Sequence, residues 1–214
     1  MLLDCGPGTL ASLKRHDLNA SPIDTVVLSH FHGDHFAGLP FLFLEFTYVE
    51  PRVKPLRIVG PPEVEERVML LFRAMYADSA SAPLPYKLQF IEAKPGKELV
   101  VDGTRIDAFR VPHLEYPDSY GYAIRSGDQT IVYSGDTGWT EDLLVHTEGS
   151  DLFICECSFF ETRLAMHLDY PRISDNLGRF ASKRIVLTHL GAEVLKRRAE
   201  IELEMAHDGL SIAT

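Results

Sequence analysis

His30-Phe31-His32-Gly33-Asp34-His35 directly follows the apolar run Thr25-Val26-Val27-Leu28-Ser29. Three imidazoles and one carboxylate therefore lie within six residues at the end of a predicted buried strand. A loop that is carried by a rigid sheet can bring such groups to one point, whereas a solvated loop has no use for three histidines in this order. The spacing predicts a metal site at the end of this strand.

Further metal-binding side chains come later in the chain, each after an apolar, strand-like run: His113, Asp136, His167 and His189. Imidazole nitrogen and carboxylate oxygen are the ligands of divalent ions such as zinc, and a carboxylate can bridge two ions. No cysteine belongs to this set, which favours a catalytic site with open positions over a closed structural site. We expect two divalent ions, with Zn²⁺ first and Mn²⁺ or Fe as alternatives.

Composition sets the class of protein. The chain has 214 residues, of which 45% are hydrophobic and 24% charged, and this predicts one soluble domain over residues 1–214. A net charge of −10 argues against a broad nucleic-acid footprint. No apolar run approaches the roughly 20 residues that a membrane span needs. Three cysteines without a disulfide pattern predict a cytoplasmic protein, with Cys155 and Cys157 as buried small residues rather than thiolate ligands.

The order of predicted elements gives the fold class. Strand-like runs follow one another in the middle of the chain and alternate with helices at both ends, which predicts an α+β fold with mixed sheets and outer helices. Helices are expected at 38–49, 171–182 and 192–206. Residues 77–86 are rich in Ala, Ser and Pro, and we expect a loop that acts as a lid or substrate rim.

The whole pattern of His-x-His-x-Asp-His, a later His, Gly-Asp-Thr and a final Thr-His resembles the metallo-β-lactamase superfamily over essentially the entire chain. The resemblance implies an αββα sandwich with two metals at one edge, in a chain that lacks the first N-terminal strands of the family. It also implies a ligand set: His30, His32 and His113 for one ion, Asp34, His35 and His189 for the other, and Asp136 as the bridge.

Within the superfamily the chain looks most like the ribonuclease Z branch and its small phosphodiesterase relatives. The run Ile154-Cys155-Glu156-Cys157-Ser158-Phe159, followed by His167, carries this resemblance most clearly. In that branch a Glu orients a His that acts on the leaving group, and Glu156 and His167 match those positions. The basic arm of ribonuclease Z is not found, and residues 190–193 read Leu-Gly-Ala-Glu where a Ser-x-Arg-Tyr-like run is usual. We therefore expect a small phosphodiester substrate rather than tRNA.

The resemblance implies a mechanism in which a metal-bridging hydroxide attacks phosphorus, Asp34 orients it, and His167 protonates the departing alkoxide. Asp4 is either a hydrogen-bond partner of a ligand histidine or a cap of the first helix. Two other functions stay open: hydrolysis of a lactone, thioester or lactam, and a non-catalytic metal-binding interaction domain. An exposed sheet edge would favour a homodimer.

Overall fold

The computed structural model describes residues 1–114 and 118–213, which divide into two compact units, Met1–Ala93 and Lys94–Thr214. Each unit has its own sheet and its own apolar core. The single domain over residues 1–214 stays a prediction. Within the described ranges, no helix combines the length and the apolar character that crossing a bilayer requires.

The first unit contains a four-stranded parallel sheet in the order β1-β2-β3-β4. The strands are β1 (Leu2–Leu3), β2 (Thr25–Val27), β3 (Leu56–Gly60) and β4 (Leu88–Glu92). Val26, Ile58 and Val59 have no solvent-accessible surface, as expected for continuous apolar runs at the centre of a parallel sheet. The carboxyl ends of β1 and β2 therefore lie side by side, and the histidine-rich loop follows β2.

Five helices belong to this unit: α1 (Thr9–Arg15), α2 (Gly33–Phe36), α3 (Leu39–Leu44), α4 (Val64–Met75) and α5 (Ala77–Ser81). A π-helical turn, Glu45–Val49, continues α3, so the helix predicted at 38–49 is confirmed with an altered last turn. The loop predicted at 77–86 is wrong in its first half, because α5 occupies it. At its end, Tyr86 is buried and donates a hydrogen bond to the Phe43 carbonyl, and the role as a lid or substrate rim stays a prediction.

The second unit contains a seven-stranded sheet in the order β11-β10-β9-β8-β7-β6-β5. The strands are β5 (Leu99–Val101), β6 (Thr104–Val111), β7 (Ser119–Ser126), β8 (Gln129–Tyr133), β9 (Leu152–Glu156), β10 (Ile185–Thr188) and β11 (Glu204–Met205). β5 to β8 form an antiparallel meander, and β8 to β11 pair in parallel. The predicted meander in the middle of the chain is confirmed.

The helices of the second unit are α6 (Asp142–Thr147), α7 (Tyr170–Asp175) and α8 (Ala192–Lys196), with 3-10 turns at Leu177–Arg179 and Arg198–Glu200. The helix predicted at 171–182 is thus shorter than expected. The helix predicted at 192–206 is wrong beyond Lys196, because β11 pairs with β10. Ile201, Leu203 and Met205 pack on the core with a period of two, so tertiary packing overrides local helix propensity.

Candidate metal centre

The histidine-rich loop starts where β2 ends. Ser29 and His30 are buried, and the backbone then turns at His32 into the one-turn helix α2, which carries Asp34 and His35. The Gly6 backbone lies against this turn so closely that a Cβ on Gly6 would overlap the Asp34 carbonyl oxygen. The Cys5 N–H donates to the His35 carbonyl at 2.6 Å, which ties the turn to the chain after β1. The Gly-Pro-Gly segment thus supports the loop.

We call His30, His32, Asp34 and His35 the first donor group. The ring centroids of His30 and His32 are 4.7 Å apart, and those of His30 and His35 are 4.2 Å apart. The Asp34 carboxylate is 65% exposed and lies 3.5 Å from Nε2 of His35. The first unit therefore brings all four of its predicted ligands together.

A buried carboxylate, Asp4, makes hydrogen bonds that support the first donor group. Its Oδ2 accepts hydrogen bonds from Nδ1 of His35 at 2.7 Å and from Oγ of Ser29 at 2.8 Å, and its Oδ1 accepts from the Ser29 N–H at 2.7 Å. Because the Ser29 hydroxyl proton goes to Asp4, Ser29 Oγ accepts from Nδ1 of His30 at 2.9 Å. Asp4 is therefore a partner of histidines, and Gly8 stands at the N-cap of α1.

The second donor group consists of His113, Asp136, His167 and His189 in the second unit. Asp136 is buried, directly after β8. Its Oδ2 lies 3.4 Å from Nε2 of His189, 3.9 Å from Nε2 of His113 and 4.0 Å from Nδ1 of His167. One ligand atom each from Asp136, His167 and His189 lies within 4.8 Å of the others, a spacing that could hold a metal ion.

Glu156, at the end of β9, is the buried carboxylate of the second unit. Its Oε1 accepts hydrogen bonds from Nδ1 of His167 at 2.9 Å and from the Thr137 N–H at 2.7 Å. Its Oε2 accepts from Oγ of Ser158 at 2.7 Å and from the Ser158 N–H at 3.2 Å. Both oxygens of the Glu156 carboxylate thus accept hydrogen bonds, from two side chains and two backbone N–H groups.

Ser158 repeats the arrangement that Ser29 has in the first unit. Its hydroxyl donates to Glu156, so Oγ accepts from Nδ1 of His189 at 2.8 Å. Oγ also lies 3.3 Å from Nδ1 of His167. In each unit, one buried carboxylate thus holds one histidine directly and a second one through a serine hydroxyl.

These hydrogen bonds fit the donor groups to divalent metal ions. Nδ1 of His30, His35, His113 and His189 is occupied by an acceptor, which for His113 is the Met166 carbonyl at 2.9 Å. Nδ1 therefore carries the proton in each ring, and Nε2 carries the lone pair that a metal would take. Asp34 and Asp136 add the carboxylate oxygens that such ions also bind.

The cysteines beside Glu156 do not join the donor groups. Burial, followed by the charge of Glu156, raises the pKa of Cys157 to about 12, and the pKa of Cys155 is also raised, mainly by burial. Both thiols are therefore protonated at neutral pH and act as small buried residues, as the sequence predicts.

Ser29 and Ser158 are the residues at the site to which the sequence alone gives no role. Each lies close in sequence to a motif residue: Ser29 precedes His30, and Ser158 lies two positions after Glu156. This closeness is the one sequence signal that could indicate their role, since serine is a frequent loop residue and its hydroxyl orientation depends on the folded backbone.

Comparisons with known proteins agree with this architecture. The sequence model of a family described as "Beta-lactamase superfamily domain" matches residues 1–190. A ribonuclease Z from Lachnoclostridium phytofermentans is 35% identical, over 88% of this chain and 77% of that protein. A ribonuclease Z from Agathobacter rectalis is 28% identical, over 92% of this chain and 80% of that protein.

Among solved structures, human tRNase Z, short form, superposes with a TM-score of 0.76 at 22% identity, over 99% of this chain and 86% of that chain. At this identity the likeness shows the fold alone. It confirms the predicted metallo-β-lactamase fold.

Proposed function

The chain belongs to the beta-lactamase superfamily, in its ribonuclease Z-like branch of metal-dependent hydrolases, and from that premise we propose that it is a phosphodiesterase. The reaction would be hydrolysis of a small phosphodiester, with the leaving-group oxygen protonated by His167. The Nδ1–Oε1 contact of 2.9 Å between His167 and Glu156 is the observation that carries this proposal.

We further propose that the two donor groups, apart from His167, together hold two divalent ions. His30, His32 and His113 would bind one ion, Asp34, His35 and His189 the other, and Asp136 both. The Nδ1 hydrogen bonds described above support this assignment, because they leave Nε2 as the ligand atom in four of these rings. Divalent ions bound there, Zn²⁺ first or Mn²⁺ or Fe, would supply Lewis acidity that activates water and stabilises charge on phosphate.

His167 is the general acid in this proposal. Glu156 accepts the Nδ1 proton, so Nε2 is the atom that delivers a proton to the departing alkoxide. The side chain is 17% exposed, which leaves it open to a substrate, whereas Glu156 is 1% exposed and acts only through His167. The exposed carboxylate of Asp34 would orient the attacking water.

A small substrate fits the surroundings of His167 better than tRNA does. A cavity of about 520 Å³ is lined by His167, His189, Phe159 and the segment Leu190-Gly191-Ala192. This segment supplies apolar surface where a basic run would contact an RNA backbone, and the net charge of −10 also disfavours a long polyanion. We also expect a cytoplasmic location, because the three cysteines show no disulfide pattern, and a homodimer, because an exposed sheet edge would favour one.

Leaving-group dependence tests the proposed function. His167→Ala should slow hydrolysis of a methyl or other alkyl phosphodiester about 10²- to 10⁴-fold, because an alkoxide needs the proton. Hydrolysis of bis(p-nitrophenyl) phosphate should slow by less than about tenfold, because p-nitrophenolate leaves without a proton. His16→Ala, in an exposed histidine, is the matched control and should change neither rate.

Two results would contradict the acid role. Equal losses on both diesters would show that His167 does not protonate the leaving group. Turnover of lactones, thioesters or lactams without diester cleavage would favour the alternative hydrolase.

A further inference from the structure

A second cavity borders His167 within the second unit. It has a volume of about 380 Å³, and its lining includes Trp139, Arg163, His167, Asp169 and Arg172. A neighbouring cavity of about 330 Å³ shares Trp139, Arg163 and Arg172 with it. We call the space around these three shared residues the arginine cleft. None of the three belongs to a donor group.

The two cavities are lined by two arginines, Arg163 and Arg172, and by two carboxylates, Asp169 and Asp175, of which only Arg163 and Asp169 form an ion pair. Asp169 is buried, pairs with Arg163, and also accepts the Arg172 backbone N–H at 2.9 Å as the N-cap of α7. Asp169 therefore compensates Arg163. Over residues 1–114 and 118–213, the Arg172 guanidinium has no ion pair, although the chain carries a net charge of −10. An arginine in this setting is suited to an anionic ligand.

Trp139 provides a flat apolar surface in the same cleft. Its Nε1–H donates to Glu141 at 3.2 Å, and its ring meets Phe180 edge to face with centroids 5.9 Å apart. The indole is thus fixed on two sides before any ligand binds. A fixed aromatic ring beside an arginine is the combination by which proteins bind the base and phosphate of a nucleotide.

We infer that the arginine cleft binds a phosphate on the leaving part of the substrate, so that the substrate is a nucleotide with a second phosphate beside the scissile one. This inference rests on the proposed function, because His167, which lines the same cavity, is there assigned to the leaving-group oxygen. Arg172 contacts the second phosphate, Arg163 and Asp169 hold the wall of the cleft, and Trp139 stacks on the leaving nucleoside. Arg172 is thus a specificity-determining residue.

Matched dinucleotides test this with the metal-loaded protein. The substrates are thymidylyl-thymidine without a terminal phosphate, with a 5′-phosphate and with a 3′-phosphate, and product analysis identifies the leaving nucleoside. We expect a terminal phosphate on that nucleoside to raise kcat/KM about tenfold, the size of one charge-assisted contact. Arg172→Ala should remove this preference and Arg172→Lys should restore part of it.

Arg179→Ala is the matched control, because it removes one positive charge, as Arg172→Ala does. Arg179 lies near Trp139 but pairs with Glu141 outside the cavity lining, so the preference should persist. A preference that survives Arg172→Ala, or that follows a phosphate on the other nucleoside, overturns this inference alone. Failure of the wild-type protein to cleave any diester overturns the proposed function and this inference with it.

Discussion

Ser158 Oγ accepts a hydrogen bond from Nδ1 of His189 at 2.8 Å while it donates to Glu156. The same serine therefore links a predicted metal ligand to the carboxylate that holds the predicted general acid. Ser29 has the equivalent position between His30 and Asp4 in the first unit. Metal-ligand orientation and acid orientation are thus coupled through one hydroxyl in the second unit.

Removal of the Ser158 hydroxyl should weaken metal binding. In Ser158→Ala, Nδ1 of His189 loses its acceptor, and loss of such a partner lowers metal affinity about 10- to 100-fold. Competition with a chromophoric chelator measures this affinity directly, without any activity assay. Ser158→Thr keeps the hydroxyl and should restore binding, and exposed Ser126→Ala serves as the control. Unchanged affinity in Ser158→Ala would exclude the coupling.

Asp4→Asn should destabilise the first unit even without metal. Three donors converge on the Asp4 carboxylate, from the Ser29 N–H, the Ser29 hydroxyl and His35 Nδ1, and an amide turns one acceptor oxygen into a donor. We expect a loss of about 1–3 kcal/mol in the free energy of unfolding, measured by urea denaturation of the metal-free protein. Asp17→Asn, at an exposed position, should cost little. Equal stability of both variants would show that the Asp4 hydrogen bonds are replaceable.

Glu193 should make stability depend on acid pH. Its carboxylate accepts the Thr162 hydroxyl and the N–H groups of Phe160, Glu161 and Thr162, and these hydrogen bonds lower the pKa of Glu193 to about 2. The lowered pKa means that its contribution is complete above the unfolded value of about 4.5 and is lost as pH falls toward 2. Glu193→Gln should flatten the fall in urea-unfolding stability between pH 5 and pH 3. The same slope in both proteins would contradict this.

Within each unit, the backbone brings the predicted donor residues together through simple rules. Each predicted ligand follows a strand or lies in the turn after one, and parallel strands bring such ends to one edge, as β1 and β2 do. Asp4 and His35 meet for this reason although 31 positions separate them. The family resemblance then implies the role of each donor residue, which its position in the sequence alone does not indicate.

Local sequence does not predict elements whose conformation depends on tertiary contacts. Residues 192–206 have a helical composition, yet Glu204 makes a paired contact with Arg184 and joins β11 to β10, which only the folded chain can offer. The sequence does not predict the arginine cleft either, because no motif connects Trp139, Arg163 and Arg172.

Metal content and diester turnover, measured together, test the central claim most directly. Elemental analysis of the purified protein should give about two divalent ions per chain, and the protein should hydrolyse bis(p-nitrophenyl) phosphate until a chelator removes them. Asp136→Ala, which removes the predicted bridge, should lose both metal and turnover. Full turnover with normal metal content in Asp136→Ala, or diester cleavage that a chelator does not affect, would contradict a dinuclear phosphodiesterase.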